Sequence, residues 1–118
     1  MSMKRQYSFP EGHWDWIVEL THHHAVRAGN LVFTGEQVDL DPQGNVRNIG
    51  DLASQCRNSM RYMERLFDDL GVDFADLVRL IAYYVGTAED EARLMSQLAE
   101  TIGPEVRPVI SMINMPEL

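Results

Sequence analysis

The sequence predicts an α+β fold, a two-layer β-β-α-β-α-β sandwich with both helices packed on one face of a mixed sheet. Three observations support this prediction. Two extended segments meet at a turn signal, two later segments have helical spacing, and each helical segment is followed by another apolar run. The two strand–helix–strand connections favour one sheet backed by two helices. The 118 residues are predicted to form a single domain, 1–118.

The first half of the chain begins with a predicted irregular N-terminal extension, 1–15. Residues 16–28 are rich in β-branched residues with partial alternation, which predicts a strand. A Gly-Asn pair at 29–30 is a turn signal, and residues 31–40 are predicted to return as a second, antiparallel strand.

Residues 51–70 are predicted to form the longer helix. Their apolar residues recur every three or four positions, which places them on one helix face, and Gly71 is a natural stop. This apolar stripe consists of Leu52, Cys56, Met60, Met63, Phe67 and Leu70.

The second half of the chain is predicted to form a strand, a helix and a strand. Residues 78–85 are almost continuously apolar, which is typical of a central strand covered on both faces. Thr87 and Asp90 match a capping box that opens a helix over 88–102. Residues 106–115 alternate well enough to form the last strand. The apolar stripe of this helix consists of Leu94, Met95, Leu98 and Ile102.

Two helices on one side would leave the other face of the sheet open. A face bearing Tyr83, Tyr84 or their neighbours would be an apolar patch on the order of a few hundred Å², which is typical of an oligomer interface. The sequence therefore predicts a homo-oligomer.

The charge of the chain excludes several classes of partner. Eighteen acidic residues against ten basic ones give a formal net charge of −8, and Lys4 is the one lysine. Nucleic-acid binding needs a cluster of cations, so neither nucleic acid nor an anionic membrane is expected as a partner. A single cysteine, Cys56, excludes a disulfide framework. With no secretory signal and no long apolar run, the predicted compartment is the cytoplasm.

The sequence lacks the glycine-rich phosphate loops and the serine-hydrolase and zincin motifs. His22-His23-His24 could present two imidazoles on one strand face. Glu36 or His13 could be the third zinc ligand, but no spacing identifies either, so a partly exposed strand end is favoured over a metal site or over ligand contact by one histidine. Arg107, at the mouth of the predicted last strand, could bind a carboxylate bidentately, although a solvent-exposed arginine is the simpler interpretation from its chemistry alone.

Three other features have simple structural interpretations. Arg57, Arg61 and Arg65 recur every four residues, and the acidic residues near them predict local pairing on a solvated helix face. Cys56 lies on the apolar stripe, which predicts a buried structural thiol. The acidic residues near these three arginines are Glu64, Asp68 and Asp69. Trp14 and Trp16 are interpreted as packing residues.

Segment 25–46 resembles the start of the YjgF/RidA family of reactive-intermediate imine deaminases. The Ser/Thr-Gly-Gln core of the family corresponds to Thr34-Gly35-Glu36, and its Asp-Pro-x-Gly turn corresponds to 41–44. The resemblance extends over roughly 22–118. Later matches are Gln55, Leu70-Gly71, Asp76-Leu77-Val78, and Arg107 nine residues before Pro116, the spacing of the family's substrate arginine from a later proline.

The resemblance implies a chorismate-mutase-like homotrimer with ligand clefts between subunits. Members hydrolyse enamine or imine acids such as 2-aminoacrylate to a keto acid and ammonia, with no cofactor. Arg107 would anchor the substrate carboxylate and Glu36 would act with it in catalysis, while Thr34, Gly35 and His22 would contact the substrate. A β-bulge or tight packing would also explain Gly35.

The chain also departs from the family pattern. His22 stands where deaminases have tyrosine, Pro108 and Val109 replace a serine and a small or cysteine residue, and no helix asparagine aligns near Arg93 or Leu94. The family's last strand, with its water-placing glutamate, would follow Leu118. These departures favour an alternative hypothesis, a non-catalytic or regulatory member that binds a small carboxylate. Ribonuclease action, an old name for relatives, is disfavoured by the charge.

Overall fold

The structure, a computed structural model, describes residues 4–8, Pro10, His13 and 23–117. The chain divides into two compact units, Met1–Val72 and Asp73–Leu118. The first unit contains β1 (Arg5–Ser8), β2 (Ala25–Ala28), β3 (Leu31–Thr34) and α1 (Leu52–Leu70). The second contains a short 3-10 helix (Phe74–Asp76), β4 (Arg79–Tyr84), α2 (Ala88–Ile102) and β5 (Val109–Asn114). This mixture confirms the predicted α+β class.

The first unit has a three-stranded antiparallel sheet with β2 in the centre. The prediction that residues 1–15 are irregular is wrong for Arg5–Ser8, because β1 pairs with β2 along its whole length. Four mostly polar residues carry little local strand signal, and β1 forms because β2 offers it an edge. Of the predicted first strand, residues 16–22 lie outside the described residues.

The segment after β3 is irregular where the sequence predicted strand. The predicted strand 31–40 ends at Thr34, and Leu40 makes only an isolated bridge to Val46. Side-chain hydrogen bonds, rather than a strand ladder, hold much of this segment, as described below. A local sequence pattern cannot distinguish these two arrangements.

Helix α1 lies within one residue of its predicted position. The Asp51 side chain accepts a hydrogen bond from the Ser54 N–H, and Gly71 ends the helix with a φ of 75°, which glycine adopts without strain. Leu66 and Leu70 pack against β2 and β3 in one cluster. The predicted stripe is buried at Cys56, Met60, Phe67 and Leu70, half-buried at Leu52 and Met63, and joined by buried Tyr62 and Leu66.

The second unit contains a parallel pair, β4 and β5, connected through α2, as predicted. The capping box of Thr87 and Asp90 is present at the start of α2. Tyr84 is buried, whereas Ile81 and Tyr83 on the opposite face of β4 are 42% and 50% exposed. The prediction that β4 is covered on both faces is therefore wrong for the single chain, because a continuous apolar run also fits a strand with one open face.

In α2 the predicted stripe is buried except for Met95, which is 39% exposed. Within the residues that the structure describes, no helix has both the length and the apolar character needed to cross a membrane.

Candidate functional site

Thr34 and Gly35 lie at the end of β3. Thr34 is half-buried and pairs with Ala25, and the Gly35 N–H donates a hydrogen bond of 2.8 Å to the His24 carbonyl oxygen. A Cβ atom on Gly35 would meet that oxygen at 3.7 Å, an ordinary van der Waals distance. Close packing within the described chain therefore does not require glycine here, and Gly35 itself is exposed.

Glu36 is exposed, and the next residue, Gln37, is held by the N-terminal part of the chain. Gln37 Oε1 lies 2.7 Å from Nε2 of His13, and Gln37 Nε2 donates a long bond of 3.4 Å to the Gly35 carbonyl oxygen. His13 is only 4% exposed. Its burial is the main reason why its pKa falls from 6.5 to about 4, so the imidazole is neutral at physiological pH.

The buried carboxylate of Asp39 holds the other end of this segment. Its Oδ1 accepts a hydrogen bond of 3.1 Å from Nε of Arg47, and its Oδ2 accepts bonds of 2.6 Å from Asn48 and 3.0 Å from Asn58. Arg47 also donates to the hydroxyl of Tyr62 at 2.8 Å. The loop after β3 is thereby joined to α1 through charged and neutral hydrogen bonds whose acceptors are largely shielded from water.

Two of the three consecutive histidines have clear positions, and the predicted substrate residue His22 lies outside the described residues. His23 is exposed and stacks on Tyr7, with ring centroids 4.1 Å apart. His24 is buried and packs on the ring of His13, with ring centroids 4.4 Å apart. In the described part of the chain, no group of three or more His, Cys, Asp or Glu side chains could hold a metal ion.

Arg107 lies in the second unit, between α2 and β5. It is exposed, and its φ of 48° places it in the left-handed region, immediately before Pro108. A residue with a side chain rarely adopts this conformation, and the following proline restricts it further. Of the predicted site residues, Thr34, Gly35 and Glu36 thus adjoin one another in the first unit, and Arg107 belongs to the second unit.

The structural interpretation of Cys56 is supported, and that of the arginine row is modified. Cys56 is buried, and burial raises the pKa of its thiol to about 11, so the thiolate is scarce. Neutral side chains are among the partners of the α1 arginines. Arg57 donates to Ser54, Arg61 donates to Asn58, and the guanidinium of Arg65 lies 5.4 Å from the centre of the Tyr62 ring. The predicted packing residues Trp14 and Trp16 lie outside the described residues.

The sequence did not single out Gln37 or Asp39, and it offered His13 only as one possible zinc ligand. No spacing rule connects His13 with Gln37, because 24 positions separate them. The one available signal was Asp39 between Val38 and Leu40, a charged residue within an apolar stretch, which is buried only when it has partners.

Comparison with known proteins identifies relatives of this arrangement. No family model matches the chain. In sequence the chain is 24% identical over 94 residues to a RutC family protein of Pyrococcus horikoshii, a match that covers 80% of this chain and 73% of the relative.

Solved structures give a closer match in fold. A member of the YjgF/YER057c/UK114 family from Mycobacterium tuberculosis superposes with a TM-score of 0.76 at 24% identity, covering 98% of this chain and 87% of the other. A conserved Rid-family protein of unknown function from Yersinia pestis superposes with a TM-score of 0.83 at 12% identity, covering 98% and 89%. These matches confirm the chorismate-mutase-like fold and, with the RutC relatives, the resemblance to the YjgF/RidA family.

Proposed function

We propose that the chain hydrolyses small reactive enamine or imine acids of the 2-aminoacrylate type, in a cleft between the subunits of a homotrimer. Water adds to the imine carbon, and the carbon–nitrogen bond breaks to leave a keto acid and ammonia. The resemblance to the YjgF/RidA family supports the reaction, and the backbone of Arg107 is the observation that carries the proposal.

Arg107 has the properties of a carboxylate anchor. Its φ of 48° is a left-handed conformation, which costs an L-residue about 1–2 kcal/mol. A strained residue with an exposed guanidinium supports a functional role, because nothing in the burial of the side chain compensates for that cost. A guanidinium can donate two parallel hydrogen bonds to a carboxylate, which orients the substrate as well as binding it.

The segment at the end of β3 would supply the remaining contacts. The exposed Gly35 would allow a substrate to approach the backbone, with Thr34 next to it. The exposed carboxylate of Glu36 would hold the attacking water and move its proton, which is general acid–base catalysis. His22 would contact the substrate from the preceding segment.

Apolar sheet faces in each unit support the homotrimer. In the first unit, Leu31 and Phe33 are 61% and 58% exposed on the face of β3 opposite to α1. In the second unit, Ile81, Tyr83 and Val109 share the open face of the parallel pair. Apolar faces of this kind are typical of subunit interfaces.

Carboxylate binding without turnover is the second candidate function. A catalytic acid is usually fixed by packing and by hydrogen bonds to neighbouring groups, whereas Glu36 is exposed. A chain of this kind would bind a small carboxylate metabolite through Arg107 and release no ammonia.

An imine-hydrolysis assay separates these two functions. An amino-acid oxidase would generate imines from several amino acids, and semicarbazide would trap the imine that is not hydrolysed. We expect the native chain to accelerate imine loss and Arg107→Ala to lower kcat/KM at least about tenfold, because charged hydrogen bonds to the carboxylate are lost. Arg61→Ala, at an exposed arginine of α1, is the matched control.

Sedimentation of the same samples would show whether the subunit interface is present. A native trimer that hydrolyses no imine but binds pyruvate in an Arg107-dependent manner would replace the deaminase by the binding function. A stable monomer, or equal activity of Arg107→Ala and the native chain, would contradict the proposed site.

A further inference from the structure

The segment between β3 and Leu40 has no strand ladder, yet its backbone is held at several points. The Gly35 N–H donates to the His24 carbonyl, and the side chain of Asp39 is held by three donors from other parts of the chain. Gln37 lies between these two points and is half-buried. The exposed Glu36 therefore lies in a short stretch whose ends are fixed.

The side chain of Gln37 connects this stretch to His13. An amide oxygen can only accept, so the 2.7 Å contact requires His13 to donate from Nε2. The Gln37 amide nitrogen in turn donates to the Gly35 carbonyl oxygen at 3.4 Å, which is long for a hydrogen bond. One side chain thus bridges a buried imidazole and a backbone carbonyl of the candidate site.

His13 is itself firmly placed. Its ring lies 4.4 Å from the ring of Tyr62 in α1 and 4.4 Å from the ring of His24, measured between centroids. Tyr62 is fixed in turn, because its hydroxyl donates to the Leu40 carbonyl oxygen at 2.5 Å. The bond from His13 to Gln37 therefore anchors the Thr34–Glu36 segment to the packed core of the first unit.

The orientation of one peptide group follows from this bridge. A peptide unit is planar and trans, so its N–H points opposite to its C=O. When Gln37 holds the Gly35 carbonyl on its own side, the Glu36 N–H of the same peptide unit is directed to the other side. A backbone N–H with a fixed direction can donate to an oxygen or to developing negative charge on a substrate at no further cost in reorganisation.

We propose that Gln37 is a positioning residue, which uses His13 as a support to fix the direction of the peptide group between Gly35 and Glu36 toward bound substrate. This inference rests on the proposed function, because that function makes the Thr34–Glu36 segment part of the substrate site. Gln37 acts through the backbone and does not itself touch the substrate.

Two substitutions at Gln37 test the inference. Gln37→Met keeps the length of the side chain and removes both hydrogen bonds, whereas Gln37→Glu keeps the acceptor for His13 and loses the donor to Gly35. Gln43→Met is the matched control, because Gln43 is an exposed glutamine in the nearby turn. The readouts are kcat and KM for imine hydrolysis, the Glu36 amide resonance, and the NMR titration of His13.

We expect both Gln37 variants to lower kcat about fivefold or more while KM changes less than about twofold, because the carboxylate anchor at Arg107 is intact. The Glu36 amide resonance should shift in both variants. Gln37→Glu should also raise the pKa of His13, since a carboxylate beside the ring favours its charged form. A merely structural role would lower stability without changing kcat of the folded protein or the Glu36 resonance.

The outcomes separate this inference from the proposed function. Native-like kcat, KM and Glu36 resonance in both Gln37 variants, as in Gln43→Met, would overturn the inference while leaving the function intact. A native chain that hydrolyses no imine would remove the proposed function. In that case the Glu36 resonance and the His13 titration would still decide whether Gln37 holds this peptide group.

Discussion

The two units of the chain stabilise their loops in different ways. In the first unit, side chains far apart in sequence hold the segment after β3: His13 contacts Gln37 across 24 positions, and Asn58 contacts Asp39 across 19. In the second unit, pairs three residues apart hold the loops on either side of β4, and one long-range bond, from the Asn114 side chain to the Gly86 carbonyl oxygen, is added to them. Those pairs are Asp73 with Asp76 and Thr87 with Asp90.

Local pairs and pairs distant in sequence differ in how far the sequence reveals them. A pair three residues apart forms whenever its own few residues adopt the right backbone, so it is visible in the sequence. A pair twenty residues apart forms only when strand, loop and helix have already assembled, and it then depends on the whole unit. The candidate segment at Thr34–Glu36 belongs to the second kind, so substitutions remote from it in sequence should affect it strongly.

Substitution of Asp39 should give the largest effect. The change Asp39→Asn keeps the shape of the side chain but leaves one acceptor oxygen, and no charge, for donors from Arg47, Asn48 and Asn58. Hydrogen bonds to a charged group contribute about 1.5–3 kcal/mol, so we expect the free energy of unfolding to fall by about 3 kcal/mol. Urea denaturation measures the change, with Asp68→Asn on the exposed face of α1 as the control.

A loss for Asp39→Asn no greater than that for Asp68→Asn would mean that the long-range network contributes little. The first unit would then not differ from the second in how its loops are stabilised.

The second prediction concerns acid. Burial, together with the nearby His24 and the positive charge of Arg65, lowers the pKa of His13 from 6.5 to about 4, while the bond to Gln37 and the charge of Asp69 act in the opposite direction. Because the unfolded chain binds this proton at higher pH than the folded chain, acid favours unfolding. This contribution to stability is complete above about pH 6.5 and is lost as the pH falls toward 4.

Between pH 7 and pH 5 the loss from His13 should be about 2 kcal/mol, read from denaturation curves at each pH. His13→Gln should remove this part of the pH dependence, whereas His23→Gln, which removes an exposed imidazole, should leave it in place. Identical pH slopes for the native chain and His13→Gln would show that His13 does not gain its proton on unfolding.

Elements whose signals are local were predicted correctly from the sequence. Helix α1 was predicted over 51–70 and observed as Leu52–Leu70, and α2 was predicted over 88–102 and observed as Ala88–Ile102. Both helices have caps and apolar stripes that a short window of sequence contains. The last strand was predicted over 106–115, with Arg107 at its mouth, and is observed as Val109–Asn114.

The sequence failed where distant residues decide the structure. Strand β1 has no local signal and forms by pairing with β2, and the end of β3 at Thr34 reflects side-chain bonds that replace a ladder. The bridge from His13 through Gln37 to Gly35 lacks any motif. The caps and apolar stripes of the helices were therefore predictable from the sequence, whereas the long-range side-chain bonds that hold the segment after β3 were not.

The smallest effect should come from a local pair in the second unit. Thr87→Ala removes the hydroxyl that accepts from the Asp90 N–H at 3.2 Å, and loss of a helix N-cap costs about 1 kcal/mol. Thr87→Ser should restore most of that stability. Thr101→Ala is the control within the same helix, because its hydroxyl only donates back to the Gln97 carbonyl and alanine is the better helix former.

Denaturation of these three variants measures how local the second unit is. If Thr87→Ala lowers the free energy of unfolding by as much as Asp39→Asn, its capping box contributes more than one local turn, and the contrast between the two units fails. If the loss stays near 1 kcal/mol and serine restores it, the cap acts through its own turn alone. The larger loss of unfolding free energy in Asp39→Asn would then show how much stability the hydrogen bonds between strand, loop and helix contribute beyond that of a single hydrogen-bonded turn.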